Sequence, residues 1–191
     1  FVLAGAKALA VPCQYGQSLQ YKREDQNCLL WKSFDHQGEI WYEGEFELEN
    51  LLEKGAQKTK IGSKLTQILQ ATRALNPSFL SHGGQVDTHL EFDRYWGLGS
   101  SSTLISNISQ WAKVNPFNLL DMTCGCSGYD ISCASAKSAI HYTKNELTPE
   151  VVPVTFNPPF ARNLFFVYQN SKQNTQAEIE RTKSIPYNKI E

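Results

Sequence analysis

The stretch WGLGSSSTLISNISQW, Trp96 to Trp111, sets two glycines and a run of hydroxyls directly against an amphipathic pattern. Leu104, Ile105, Ile108, Trp111 and Ala112 fall on one helical face, so the spacing predicts a helix running to Val114. The segment before it, QVDTHLEF from Gln85 to Phe92, alternates as a strand does. Strand, glycine-rich turn and helix N-terminus, in that order, make an arrangement that binds phosphate. The first helical turn offers unpaired N–H groups and the positive end of the dipole. Gly97 and Gly99 let the backbone approach an anion and adopt positive φ. Ser100, Ser101, Ser102 and Thr103 add hydroxyl donors, one of which can reach a metal ion. The same residues also fit a plain helix N-cap with an incidental pair of glycines. The loop is neither a Walker sequence nor a dinucleotide fingerprint, and the chain has no G-x-S-x-G nucleophile elbow.

Outward from that loop, strands and helices are mixed. AKALAVPCQYGQSLQY, CLLWKSFD and EIWYEGEFELE are rich in β-formers broken by polar residues and Gly38. Residues 63–75 change period, with Leu65, Ile68, Leu69, Thr72 and Leu75 in a helical stripe stopped by Asn76-Pro77. Pro116 opens a short helix, PFNLLDMT, and the Gly/Ser loop beginning at Cys124 leads into helical Ala/Ser. SAIHYTK, EVVPVTF and NLFFVYQ read as closing strands, and Thr175-x-x-Glu178 is a capping box that starts a last helix. Mixing without strict βα alternation predicts an α+β fold, a mixed sheet with helices packed on it.

Composition narrows the function. Hydrophobic residues make up 41% and charged residues 19% of the 191, a globular balance. Lys+Arg 18 against Asp+Glu 19 leaves a net charge of −1, with no basic footprint for nucleic acid and no cationic face for a membrane. No apolar run approaches the ~20 residues of a membrane span. The five cysteines, Cys13, Cys28, Cys124, Cys126 and Cys133, fit no disulfide framework or zinc spacing, which predicts reduced thiols in a cytoplasmic protein. The apolar opening FVLAGAKALAVPCQYG reads as a chain beginning inside an ordered element, so a longer protein is expected. Among the histidines, His36, His82 and His89 show no pairing with a nucleophile. Trp96 reads as a core residue and Lys172 as a surface lysine.

A second glycine turn adds chemistry. In GCSGYDIS, Asp130 follows Gly128 at the start of a helix, where a carboxylate can accept a proton from a substrate hydroxyl. An ordinary first-turn acid favoured by the dipole fits as well.

Together the two loops resemble the GHMP kinases, the superfamily of galactokinase, homoserine kinase, mevalonate kinase and phosphomevalonate kinase. GLGSSS at Gly97–Ser102 resembles the second family motif, P-x-x-x-G-L-G-S-S-A, with Asp93 in place of the proline and Ser102 in place of the alanine. SGYDIS at Ser127–Ser132 is similar to the S-G-x-D segment of the mevalonate-pathway members and to a bacterial subgroup named for its GYDI sequence. LAGAKALAVP resembles the stretch after the first motif, whose G-K and G-E-Y would lie before Phe1.

The resemblance implies an α+β kinase N-terminal domain over residues 1–170, lacking its first strand. Residues 171–191 would then begin a C-terminal domain or connecting helix, and the third glycine-rich motif would lie beyond them. It implies transfer of the γ-phosphoryl of ATP, with Mg²⁺, to a small-molecule alcohol of mevalonate-pathway type. Gly97, Leu98, Gly99, Ser100, Ser101 and Ser102 would wrap the triphosphate, Ser101 and Asp121 would approach the metal, and Asp130 would be the base. An apolar face left for a second domain would favour a homodimer. Two rivals remain open: a diphosphomevalonate decarboxylase-like enzyme, and a non-catalytic nucleotide-binding member.

Overall fold

A computed structural model of the chain describes residues 2–55, 59–145, 148–168 and 170. The capping box at Thr175, Lys172 and the whole 171–191 segment lie outside the described residues. Seven strands and four α-helices are present among those described: β1 Ala8–Ala10, β2 Gln17–Arg23, β3 Cys28–Phe34, β4 Ile40–Glu47, α1 Lys60–Leu75, β5 Gly84–Leu90, α2 Ser100–Ala112, α3 Pro116–Thr123, α4 Tyr129–Ala134, β6 Ile140–Thr143 and β7 Glu150–Pro153. The fold is α+β, as the mixed pattern implies.

The strands form two sheets. The larger runs β2-β5-β3-β4, with β5 and β3 parallel and the outer pairs antiparallel, so it is mixed. The smaller runs β1-β6-β7, all antiparallel. The run AKALAVPCQYGQSLQY therefore breaks in two, and its halves serve different sheets.

Alternation decides which face of the larger sheet is covered. Leu29 and Trp31 of β3 and Val86 of β5 point inward with Phe46 of β4, and they meet Leu65, Ile68 and Leu69 of α1 and Ile105 and Ile108 of α2. The polar residues in that layer are satisfied, as buried groups must be: Thr88 Oγ1 donates to Ser33 Oγ at 2.9 Å, and Trp31 Nε1 donates to the same oxygen at 3.1 Å. Helix starts follow their caps. Thr59 Oγ1 accepts the Gly62 N–H at 2.8 Å to open α1, and Asn115 Oδ1 accepts the Phe117 N–H at 2.8 Å ahead of Pro116 to open α3.

Two expectations are corrected. NLFFVYQ is not a closing strand: Ala161–Asn163 make a 3-10 turn, and Leu164–Tyr168 run without a strand partner among the described residues. Strand-forming composition needs a neighbour to pair with, and here Phe165 and Val167 stay 83% and 82% exposed. Nor are all the cysteines reduced thiols. Cys124 and Cys126 are joined as a disulfide, while Cys13, Cys28 and Cys133 are free. Gly125 turns the chain between them with φ 58° and brings their Cα atoms to 5.4 Å, inside bridging range.

Among the described residues, no helix is long and apolar enough to cross a membrane.

Candidate active site

α2 begins at the quoted glycine loop. Asp93 sets the approach with an Asx turn: its Oδ1 accepts the Tyr95 N–H at 2.8 Å and its carbonyl accepts the Trp96 N–H at 3.0 Å. Gly97 and Gly99 both have φ 77°, the left-handed region where a Cβ is strained. Gly99 is the N-cap, and no side chain caps the helix. Its carbonyl accepts from Ser102 N at 2.9 Å and Thr103 N at 3.0 Å. The N–H groups of Ser100 and Ser101 have no acceptor among the described residues, so two donors at the dipole's positive end are left to a ligand or water. Among the described residues beyond its chain neighbours, nothing lies within 4 Å of where a Cβ on Gly97 would stand. The start of α2 is itself anchored to β2, since Thr103 Oγ1 donates to Gln17 Oε1 and Asn107 Nδ2 to the Gln17 carbonyl, each at 2.7 Å.

The second turn meets the first. A Cβ on Gly99 would stand 3.9 Å from the Asp130 carboxyl carbon, so the carboxylate lies against the N-terminus of α2. Gly128, φ 86°, is the N-cap of α4 and delivers Asp130 in the first turn. Burial holds the half-buried Asp130 carboxyl above its ordinary value, offset by the neighbouring Tyr129 phenol. That phenol is raised in turn, first by the Asp130 charge and then by its own burial. A carboxyl lifted by burial and set beside N–H groups without acceptors is a candidate proton acceptor.

The remaining expected residues are placed as follows. Ser101 is exposed on the first turn of α2, with Ser100, Ser102 and Leu98 half-buried around it. Asp121 is exposed on α3, and no hydrogen bond or ion pair ties it to Ser101 or Asp130. Among the described residues, no group of three or more His, Cys, Asp or Glu is placed to hold a metal ion. Trp96 is not a core residue: it is half-buried, its ring 5.0 Å from that of Tyr168 in a stack and 6.2 Å from that of Tyr15 edge-on. His82 does have a hydroxyl neighbour, with Ser81 Oγ 3.0 Å from its Nδ1 on an exposed turn. A cavity of about 510 Å³, lined by Val11, Lys137 and Phe156 among others, lies along the smaller sheet and not at the glycine loop.

Solved structures share this fold. A Campylobacter jejuni protein provisionally described as a sugar kinase superposes with a TM-score of 0.54 over 83% of this chain, at 15% identity. Lactococcus lactis galactokinase complexed with galactose superposes with a TM-score of 0.54 over 81% of this chain, at 16% identity. The chain spans 50% of the first protein's length and 43% of the second's. No protein-family model matches the sequence, and no curated protein matches it either.

Sequence reasoning found both glycine turns and Asp130. It missed the residues that hold them, Gln17 and Asn107 at α2 and Tyr142 and Lys144 at the approach to α4. Their partners lie 15 or more residues away in the chain, and no local pattern marks them.

Proposed function

We propose that this chain carries the phosphoryl-transfer site of a GHMP-type small-molecule kinase, which moves the γ-phosphoryl of ATP to an alcohol. The observation that carries the reading is the Asp130 carboxyl carbon 3.9 Å from a Cβ position on Gly99, at the uncapped start of α2.

The chemistry then follows from position. The N–H groups of Ser100 and Ser101 receive phosphate oxygens, and the open space at Gly97 admits them to the backbone. Asp130 accepts the hydroxyl proton of the alcohol. The alcohol oxygen bonds to the γ-phosphorus, the bond from that phosphorus to the β,γ-bridging oxygen breaks, and ADP leaves with the electron pair. The donor set suggested by the motif match, Ser101 and Asp121, is all oxygen and suits Mg²⁺: these residues would hold the ion, which would supply charge neutralisation when bound with ATP. Fixed dipoles aimed at developing charge contribute most of such a site's effect.

Two acceptor classes have support. The SGYDIS sequence favours a mevalonate-type alcohol, and the fold shared with galactokinase favours a sugar. The protein with Mg·ATP, assayed against mevalonate, phosphomevalonate, homoserine and galactose, separates them. Phosphorylated product from one acceptor supports the kinase reading, and carbon dioxide release from mevalonate diphosphate would replace it with the decarboxylase. Nucleotide binding without transfer to any acceptor would point to the non-catalytic rival.

A further inference from the structure

Three carbonyls, one at the end of α3 and two in the segment joining it to α4, accept side-chain donors from elsewhere in the chain. The Thr123 carbonyl accepts from Lys64 Nζ at 3.1 Å and Gln67 Nε2 at 3.0 Å, both on α1. The Cys126 carbonyl accepts from Lys144 Nζ at 3.0 Å. The Ser127 carbonyl accepts from Tyr142 Oη at 2.6 Å. Neither lysine makes an ion pair among the described residues, and Lys64 Nζ also donates to Gln67 Oε1 at 3.2 Å.

Tyr142 is the best-fixed of these donors. It is 1% exposed and sits on the central strand of the smaller sheet, paired with Ala8 on one side and Val151 on the other. A buried phenol needs an acceptor, and the Ser127 carbonyl is the one it has. The next residue is Gly128, and a Cβ there would stand 3.0 Å from the same phenol oxygen. α4 has only six residues and no side-chain cap. A helix that short does not set its own direction, because local propensity cannot hold it. Its direction comes from its packing, with Ile131 buried in the core against α2, and from the loop that feeds it, and Asp130 is only two residues past that loop.

We propose that Tyr142 and Lys144 are positioning residues of the candidate site: by holding the Ser127 and Cys126 carbonyls they fix the Gly128 turn, and so fix Asp130 against the start of α2. The inference rests on reading Asp130 as the base, and neither residue touches substrate. Reacting groups displaced by about 1 Å lose up to 10²-fold in rate, so a loosened turn reads out in kcat and not in nucleotide binding.

The test uses the full chain with Tyr142→Phe, Lys144→Met, Lys144→Arg, Asp130→Asn and the double variant Tyr142→Phe/Asp130→Asn. The first readout is the ¹³C side-chain carboxyl resonance of Asp130, assigned by its loss in Asp130→Asn. It should move in Tyr142→Phe and Lys144→Met and stay put in Thr88→Val, which loses a buried hydrogen bond in the larger sheet. The second is steady-state transfer from Mg·ATP to the best acceptor. Tyr142→Phe and Lys144→Met should lower kcat about tenfold with KM for Mg·ATP unchanged, Lys144→Arg should restore most of it, and Tyr142→Phe should add nothing in the Asp130→Asn background. A wild-type resonance and kcat in folded Tyr142→Phe, with Asp130→Asn inactive, overturns the positioning role and leaves the kinase reading standing. If Asp130→Asn keeps its kcat, or no acceptor turns over, the base reading is what fails, and the resonance alone decides whether Tyr142 places the carboxylate. Should Tyr142→Phe not fold, Lys144→Met carries both readouts.

Discussion

Gly99 and Gly128 each cap a helix from the left-handed region, at φ 77°, ψ 36° and φ 86°, ψ −5°, and neither helix has a side-chain cap. Their surroundings differ. Among the described residues beyond its chain neighbours, a Cβ on Gly99 would meet only the Asp130 side chain, at ordinary contact distance, and one on Gly97 would meet nothing within 4 Å. A Cβ on Gly128 would press on Tyr142 Oη at 3.0 Å, Phe117 at 3.2 Å and Leu120 at 3.3 Å. The same backbone conformation thus serves an open cradle in one place and a packed pivot in the other. On the proposed function, the space a Cβ would enter, and not the backbone angle, tells a binding glycine from a structural one.

The largest expected effect separates the two turns by chemistry. Asp130→Asn keeps the size and removes the charge. It should lower kcat by roughly 10²–10⁴-fold, a barrier increase of about 3–5 kcal/mol, while Mg·ATP affinity hardly changes. Steady-state kinetics beside nucleotide titration measures both. A kcat surviving within a few-fold would reduce Asp130 to a first-turn acid and the pivot to a matter of stability.

The next effect separates them by packing. Gly128→Ala combines left-handed strain with contacts that must give, and should cost roughly 2–4 kcal/mol in denaturant unfolding. Gly97→Ala carries the strain alone and should cost about 1–2 kcal/mol. Equal losses at the two positions would break the comparison.

The smallest effect concerns pH. Burial raises the folded Asp130 pKa above its ordinary 3.8, so the native state binds that proton more tightly than the unfolded chain does. Stability therefore falls as pH rises from the ordinary value through the raised one, and the penalty is complete above it. Asp130→Asn escapes the penalty, so its melting temperature should exceed that of wild type at neutral pH, with the gain disappearing below about pH 4. Melting curves between pH 3 and 8 check this, and a gain that grows toward low pH would contradict it.

Much of this was legible from local pattern. The apolar stripe located α1 and α2, and Pro116 located α3, because helix starts and period act within one or two turns. Both glycine turns and Asp130 were legible for the same reason. The split between β1 and β2 was not, since Ala8 pairs with Tyr142 and Gln17 with Leu90, and periodicity carries no information about such distant partners. The same limit explains Leu164–Tyr168, whose composition reads as strand while its backbone lacks a neighbour. It also explains Trp96, which sits against Tyr15 and Tyr168 at the surface and not in the core. The meeting of Gly99 and Asp130 depends on how α4 packs on α2, and only the motif resemblance anticipated it.

The claim that the open turn binds phosphate is tested most directly by titrating Mg·ATP into the wild-type chain and into Gly99→Ala. The account predicts binding by wild type and at least tenfold weaker binding by a variant that still melts cooperatively, because a Cβ in the left-handed N-cap displaces the N–H groups of Ser100 and Ser101 from the phosphates. Equal affinity in the folded variant, or no binding by wild type, would contradict it.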